Sequence, residues 1–362
     1  MAAVRIGIVG LPNAGKSSLF TALTGVAVQA ANYPFTTIEP NVAVVPVADD
    51  RLNAVAETVR ASEIVHDAIT FHDIAGLVAG AHCGEGLGNQ FLAQIRETDA
   101  LVHVIRVHEN PEVVHPTGRV DPLTDLETVE TELIYADLEQ AERRLERVAR
   151  AARGGDRGAV EEERALSELI DGLQSGRPAS AVYASSELPD ALRALSLLTA
   201  KPVLYVANLE EGSTQVPPEL QRHAAALGAD AVAVSARLEA ELSELSPDEA
   251  DAIRAEFGLA ELGTEAVIHG AFSLLSLIAF FTGESGRPAR SWHIRDGLSA
   301  WHAAGMIHTD MQRGFVRAEI VPWEELVAAR GYAGARDRGS LRVEGRDYRV
   351  RDGDVILIRF TR

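Results

Sequence analysis

Lysine is almost absent from this chain: two residues, Lys16 and Lys201, stand against 32 arginines. Each surviving lysine is therefore informative, because a site that keeps a compact ammonium on a long stem is one that rejects a planar guanidinium fork. Cysteine is scarcer still. Cys83 stands alone, which excludes an internal disulfide and any multi-cysteine metal cage, and an incidental thiol is the simpler account of it. Long apolar runs are missing as well. The longest, Ala271 to Phe281, is interrupted by Ser273 and Ser276 and is too short to cross a bilayer. Met1 leads almost directly into a strand-like run, so no signal peptide and no membrane partner are expected, and the protein is expected to be soluble and cytoplasmic.

The 362 residues are 46% apolar, enough for a substantial core divided over two or three domains. The net charge of −19 is unevenly spread: residues 279–362 carry 14 Arg against 11 Asp and Glu, a net +3, which leaves −22 on the rest. Such an acidic body resists indiscriminate binding to nucleic acid, and sequence-specific DNA is not an expected partner. The C-terminal segment can still approach phosphate backbones or another protein, although solvated arginines account for its charge equally well.

Lys16 lies in Gly10-Leu11-Pro12-Asn13-Ala14-Gly15-Lys16-Ser17, a complete G-x-x-x-x-G-K-S phosphate loop. Residues 4–9 read as a β-branched strand before it, and Ser17 to Leu23 as a helix start after it, with Leu19, Phe20 and Leu23 on one face. Strand, loop and helix are the context in which backbone N–H groups and a helix N-terminus cradle a phosphate. The Ser17 hydroxyl can then ligate Mg2+.

Strand-like runs recur at Ala68–His72, Leu101–Val107, Pro202–Ala207 and Asp230–Val234, as a doubly wound α/β sheet requires. Between Leu126 and Leu173 the pattern changes. Ile134, Leu138, Ala141, Leu145, Val148 and Ala152 form a heptad seam, with a capping box expected from Thr124 and Glu127. Gly154, Gly155 and Gly158 break the seam, and Leu166, Leu169 and Leu173 resume it, which predicts an inserted antiparallel helical hairpin. A helix after Gly263, with Val267, Ala271, Leu274, Leu275 and Ile278 inward, is expected to close the first domain near Gly283. Beyond it, alternating segments at Arg290–Ile294, Gly314–Ile320, Leu341–Val343, Tyr348–Val350 and Val355–Phe360 surround a helix at Glu324–Ala329, a small mixed β domain. His302 and His308 lack a further ligand at metal spacing and read as packing or surface residues.

Asp73-Ile74-Ala75-Gly76 supplies the D-x-x-G that places a carboxylate near magnesium in nucleotide switches. Asn32 to Pro40 offers a first switch segment in which Thr37, or Thr36, completes the magnesium shell. The base-reading positions hold Asn208-Leu209-Glu210-Glu211 and Ser235-Ala236-Arg237. In the N-K-x-D guanine reader the aspartate accepts from the guanine ring N–H and amino group. Here Leu209 replaces the lysine and Glu211 the aspartate, and the added methylene spoils the bidentate fit. Adenine can use the Asn208 side chain and the backbone near Leu209, so ATP is the expected ligand, with GTP tolerated.

These motifs together, GLPNAGKSSLF (10–20), NYPFTTIEP (32–40), DIAGLVAGA (73–81), GEGLGNQFL (84–92), NLEE (208–211) and HTDMQRGFVRAE (308–319), resemble the YchF branch of the Obg-like P-loop NTPases over nearly the whole chain. The resemblance implies a nucleotide domain at 1–124 and 200–278, a helical insertion at 125–199 and a ubiquitin-like TGS domain at 279–362. It also implies ATP hydrolysis and association with ribosomes. Asn13, Ala14, Gly15, Lys16, Ser17 and Ser18 fall on the family's phosphate-binding segment, Ser17 and Thr37 on its magnesium ligands, and Asn208 with Leu209 on its adenine-contacting stretch. Ala79, Ser18 and Ala14 depart mildly from the commoner Lys, Thr and Val. Asn13 also resembles the potassium-ligating asparagine of related GTPases, which makes K+ an expected activator. Leu77 stands where Ras-like enzymes orient water with glutamine, and a leucine cannot; the resemblance puts a catalytic histidine at His115 instead. A conventional GTPase and a module that keeps its nucleotide as a structural ligand are the competing expectations.

Overall fold

A computed structural model describes residues 4–29, 41–74, 87–110, 113–116, 118–183, 188–257 and 263–361. The expected first switch segment with Thr36 and Thr37, and residues 75–86 with Gly76, Leu77, Ala79 and Cys83, lie outside the described residues.

The described strands, in chain order, are β1 (Arg5–Val9), β2 (Val42–Pro46), β3 (Ile64–Val65), β4 (Ala68–Asp73), β5 (Ala100–Arg106), β6 (Val203–Asn208), β7 (Asp230–Val234), β8 (Leu277–Thr282), β9 (Ala289–Arg295), β10 (Phe315–Pro322), β11 (Arg342–Glu344) and β12 (Asp354–Phe360). They form two sheets. The first runs β2-β4-β1-β5-β6-β7, with β2 antiparallel to β4 and every other pairing parallel. Its middle strand, β5, is buried at every position, as a parallel strand covered by helices on both faces must be. The parallel arrangement gathers the C-terminal ends of β1, β4, β5, β6 and β7 on one edge, where ligands of doubly wound folds bind. The register puts Ile8 beside Asp73 and Arg106 beside Asn208.

The helical hairpin consists of Pro122–Arg153 and Arg157–Gln174. Ile134, Ala141 and Val148 are buried against Leu166, Leu169 and Leu173, with Leu138 and Leu145 packed alongside and Ala152 buried further along, as the heptad spacing predicts. Its first cap differs from the expected Thr124–Glu127 box. Asp121 accepts from the Thr124 amide at 3.2 Å and Pro122 follows in the first turn, so an aspartate one step ahead of a proline sets the start.

The second sheet runs β11-β10-β12-β8-β9-β3. β8 and β9 form a hairpin, β12 lies parallel to β8, and the helix Ala300–Ile307 packs Ala300 and Ala303 against Phe280, Ile294 and Ile356. A central parallel pair between hairpin and helix is the β-grasp arrangement. Two details differ from expectation. The helix from Gly263 stops at Leu274, and Ile278 lies in β8, because Ser276 turns the chain in the left-handed region at φ +48°. Tyr348–Val350 forms no strand, only a bridge from Arg349 to Ser299. The sheet therefore opens at Leu277, ahead of the boundary expected at 279.

It also recruits chain from within 1–124. β3 pairs with β9, and the helix Asp50–Val59 inserts Leu52, Val55 and Val59 among Phe281, Val321, Leu326 and Val355. Arg51 pairs with Asp352 and lies over the Phe281 ring, 5.5 Å from its centroid. His302 and His308 act as cap acceptors: His302 Nδ1 accepts from the Ser299 amide and His308 Nδ1 from that of Asp310.

Candidate functional site

The phosphate loop leaves β1 at Gly10, where a Cβ would stand 2.4 Å from the Val104 carbonyl oxygen. Gly15 sits at φ +101°, and a Cβ there would meet the Asn208 side-chain nitrogen at 2.1 Å. Both are close approaches that only glycine permits. Lys16 opens the helix Lys16–Gln29 and folds back over the loop, where its ammonium donates to the Leu11 carbonyl at 2.8 Å. It is buried, and burial lowers its pKa from the usual 10.5 to about 8 against the opposing pull of Asp73. Ala14 is buried beneath the loop, and Ser18 is half-buried in the first helical turn.

Ser17 and Asp73, 56 residues apart in sequence, meet at the mouth, the Ser17 hydroxyl donating to Asp73 Oδ2 at 3.1 Å. This separation tests the fit of magnesium. Octahedral Mg2+ with oxygens at about 2.1 Å puts adjacent ligands about 3.0 Å apart, so these hard oxygens suit two neighbouring positions. The residues present fit the ion. Thr37, the third expected ligand, lies outside the described residues.

At the base end Asn208 has a task that its sequence motif does not show. Its side-chain nitrogen donates to the Ala14 carbonyl at 3.0 Å, and its oxygen accepts from the Ala236 amide at 3.1 Å. This buried amide thus braces the phosphate loop against the turn after β7, and the same residue lines the cleft beyond it. Leu209 is buried and donates its amide to the Val234 carbonyl, while the Ser235 hydroxyl donates to the Leu209 carbonyl at 3.3 Å. Glu211 faces Arg237 at 3.7 Å across a cleft of about 500 Å³, which His108, Asn110, Leu209 and Glu210 also line.

His115 lies behind the loop. Its Nε2 is 2.8 Å from Asp125 Oδ2, both side chains are almost fully covered, and Leu11, Pro12 and Ala14 wall the same small cavity. Burial pushes the Asp125 carboxyl upward, opposed by its hydrogen bond to His115. The neighbouring Val114 carbonyl accepts from the Asn13 side-chain nitrogen at 2.9 Å, with Asn13 in the left-handed region at φ +62°. Sequence reasoning missed two residues here. Asp125, in the first turn of the helical arm, holds the histidine. Arg106, at the end of β5, is 2% exposed and donates to three backbone carbonyls of the segment that leads to it. The one signal for Arg106 was an arginine ending a strand that is apolar apart from His103. No group of three or more His, Cys, Asp or Glu suited to a metal occurs among the described residues, and no described helix is long and apolar enough to cross a membrane.

Known proteins extend these observations over the full chain. Residues 5–138 match a family described as 50S ribosome-binding GTPase, and residues 277–361 match the C-terminal family of YchF-type GTPases, described as a protein of unknown function. The chain is 44% identical over 364 residues to the ribosome-binding ATPase YchF of Bacillus subtilis, covering 99% of each. It is 44% identical to the protein of that name from Escherichia coli O157:H7, covering 98% of this chain and 99% of that one. The solved structure of the Schizosaccharomyces pombe YchF GTPase superposes with a TM-score of 0.87 at 31% identity, over 99% of this chain and 98% of that one. A GTP-binding protein from Pyrococcus horikoshii shares the fold, with a TM-score of 0.62 at 19% identity. With its phosphate loop, helical arm and second sheet all falling inside these full-length matches, the chain belongs to the YchF family.

Proposed function

We propose that the chain binds ATP with Mg2+, hydrolyses it slowly, and uses its nucleotide state to control docking on the ribosome in the cytoplasm. One observation carries the choice of base: the acidic residue at the guanine-reading position is a glutamate, and it faces Arg237 across the cleft. A guanine clamp needs that carboxylate unshared and one methylene shorter. The names of the relatives, ribosome-binding ATPases, support the same reading.

Lys16 and the loop amides hold the phosphates, Ser17 and Asp73 hold the metal together with Thr37, and Asn208, Leu209, Glu211, Ser235 and Ala236 shape the base end. Magnesium, when bound, neutralises charge on the phosphates. Lys16 stays protonated beside a triphosphate and stabilises the charge that develops on transfer. Slow turnover fits a site with Leu77 in place of a water-orienting glutamine, where His115, oriented by Asp125 beside the phosphate loop, is the catalytic histidine in its stead. Potassium stimulation through the Asn13 side-chain oxygen is part of the proposal, and equal rates in potassium and sodium buffers remove it.

Calorimetric titration with ATP, GTP and their diphosphates, with phosphate release measured against a Lys16→Ala control, tests this reading. The expected result is ATP binding tighter than GTP by at least about tenfold and turnover lost in the variant. Tighter GTP binding, or release equal to the control, refutes it. Equal co-sedimentation with ribosomes in ATP and ADP removes the switch.

A further inference from the structure

Arg106 ends β5 beside Asn208 on β6, and the two side chains brace different loops of one site. Its guanidinium spans a wide set of acceptors: Nε donates to the His108 carbonyl, Nη2 to that of Asn110 and Nη1 to that of Val113, each at 3.1 Å. This buried cation is satisfied by backbone carbonyls, so the cost of burying it is offset only while those carbonyls converge on it. The segments it grips serve both ends of the site. His108 and Asn110 line the base cleft, whereas Val114 is tied to Asn13 of the phosphate loop and His115 to Asp125. One fork therefore sets the shape of the cleft wall and the placement of the histidine together. A lysine cannot replace it, because three N–H bonds radiating from a single nitrogen do not reach carbonyls spread from residue 108 to residue 113.

We propose that Arg106 is a positioning and specificity-determining residue for ATP hydrolysis, acting through segments 108–110 and 113–115. This rests on the function proposed above. Full-length Arg106→Lys and Arg106→Met, checked for folding by circular dichroism, are compared with wild type, His115→Ala and the double variant Arg106→Lys/His115→Ala. The expected kcat falls by about 30- to 100-fold in either Arg106 variant, the loss typical of a misplaced catalytic group. The ratio of kcat/KM for ATP over GTP narrows at least about threefold, since a relaxed cleft wall discriminates less. In the His115→Ala background, Arg106→Lys costs less than about twofold in kcat, because residues acting as a unit are not additive. Unchanged kcat and selectivity in the folded variants, additive losses in the double variant, or loss of fold in both single variants overturns the proposal. A wild-type chain that releases no more phosphate than Lys16→Ala overturns the parent function and this proposal with it. Normal wild-type turnover with any of the other outcomes sinks the role of Arg106 alone.

Discussion

Replacing Asn208 with alanine separates two roles for this residue, one read from sequence and one from structure. The amide donates to the Ala14 carbonyl and accepts from the Ala236 amide, and all three groups are buried. Truncation leaves one carbonyl and one N–H without these partners. Each buried orphan costs about 1–3 kcal/mol, and water entering the space left by the side chain relieves part of that. A net loss of about 2 kcal/mol to the ordered loop corresponds to about 30-fold in affinity for anything that needs the loop in place. The brace acts on the phosphate loop, so the loss should be equal for ATP, ADP and GTP. It should also appear for inorganic tripolyphosphate, which has no base. Calorimetric titration of wild type and Asn208→Ala with these four ligands decides the matter. If tripolyphosphate binds both proteins equally while ATP affinity alone falls, Asn208 reads the base and the bracing argument is wrong.

Lys16 gives a pH signature. Its pKa of about 8 in the folded chain lies below the unfolded value, so the unfolded state binds more protons between pH 8 and the ordinary lysine range. The penalty is fully present below pH 8 and lifts as pH rises, so Lys16→Met should melt above wild type at pH 7, with the gap closing toward pH 10; a gap that widens with pH contradicts this. Glu211→Asp shortens the carboxylate away from Arg237 and toward the reach of a guanine edge, and should raise the GTP-to-ATP affinity ratio by about tenfold in competition titrations. An unchanged ratio would mean that Glu211 does not contact the base.

What was legible in the sequence was local or carried by residue type. The phosphate loop declares itself through glycines at forced backbone positions and one lysine beside them, and the pairing of Ser17 with Asp73 follows from two motifs that share one ligand. The heptad seam of the arm is periodic, so its buried face could be read without a structure. Asn208 was recognised at the base end but its bracing role was not, because its partners, Ala14 and Ala236, lie 194 and 28 residues away and engage it through backbone atoms. Arg106 is the stronger case of the same kind. Backbone carbonyls belong to every residue, so a cation satisfied by three of them leaves no partner residue type to search for. The helix Asp50–Val59 carries an apolar stripe that any core would accept, and its pattern does not say which sheet it joins.

That last placement bears on the nucleotide site itself. Asp67 donates its amide to the Ser291 hydroxyl and accepts from the His293 amide, which anchors it in the second sheet immediately before β4 begins. Six residues later the same strand delivers Asp73 to Ser17. The carboxylate at the mouth of the phosphate loop is therefore positioned from two sides, by the parallel ladder with β1 and by the anchor at Asp67. The strand between them is extended and hydrogen-bonded along its length, with no slack to absorb a shift of either end. Removing residues 277–362 would also strip Leu52, Val55 and Val59 of their core and Asp67 of its partners, so a truncated chain is not a clean test of the first sheet's chemistry.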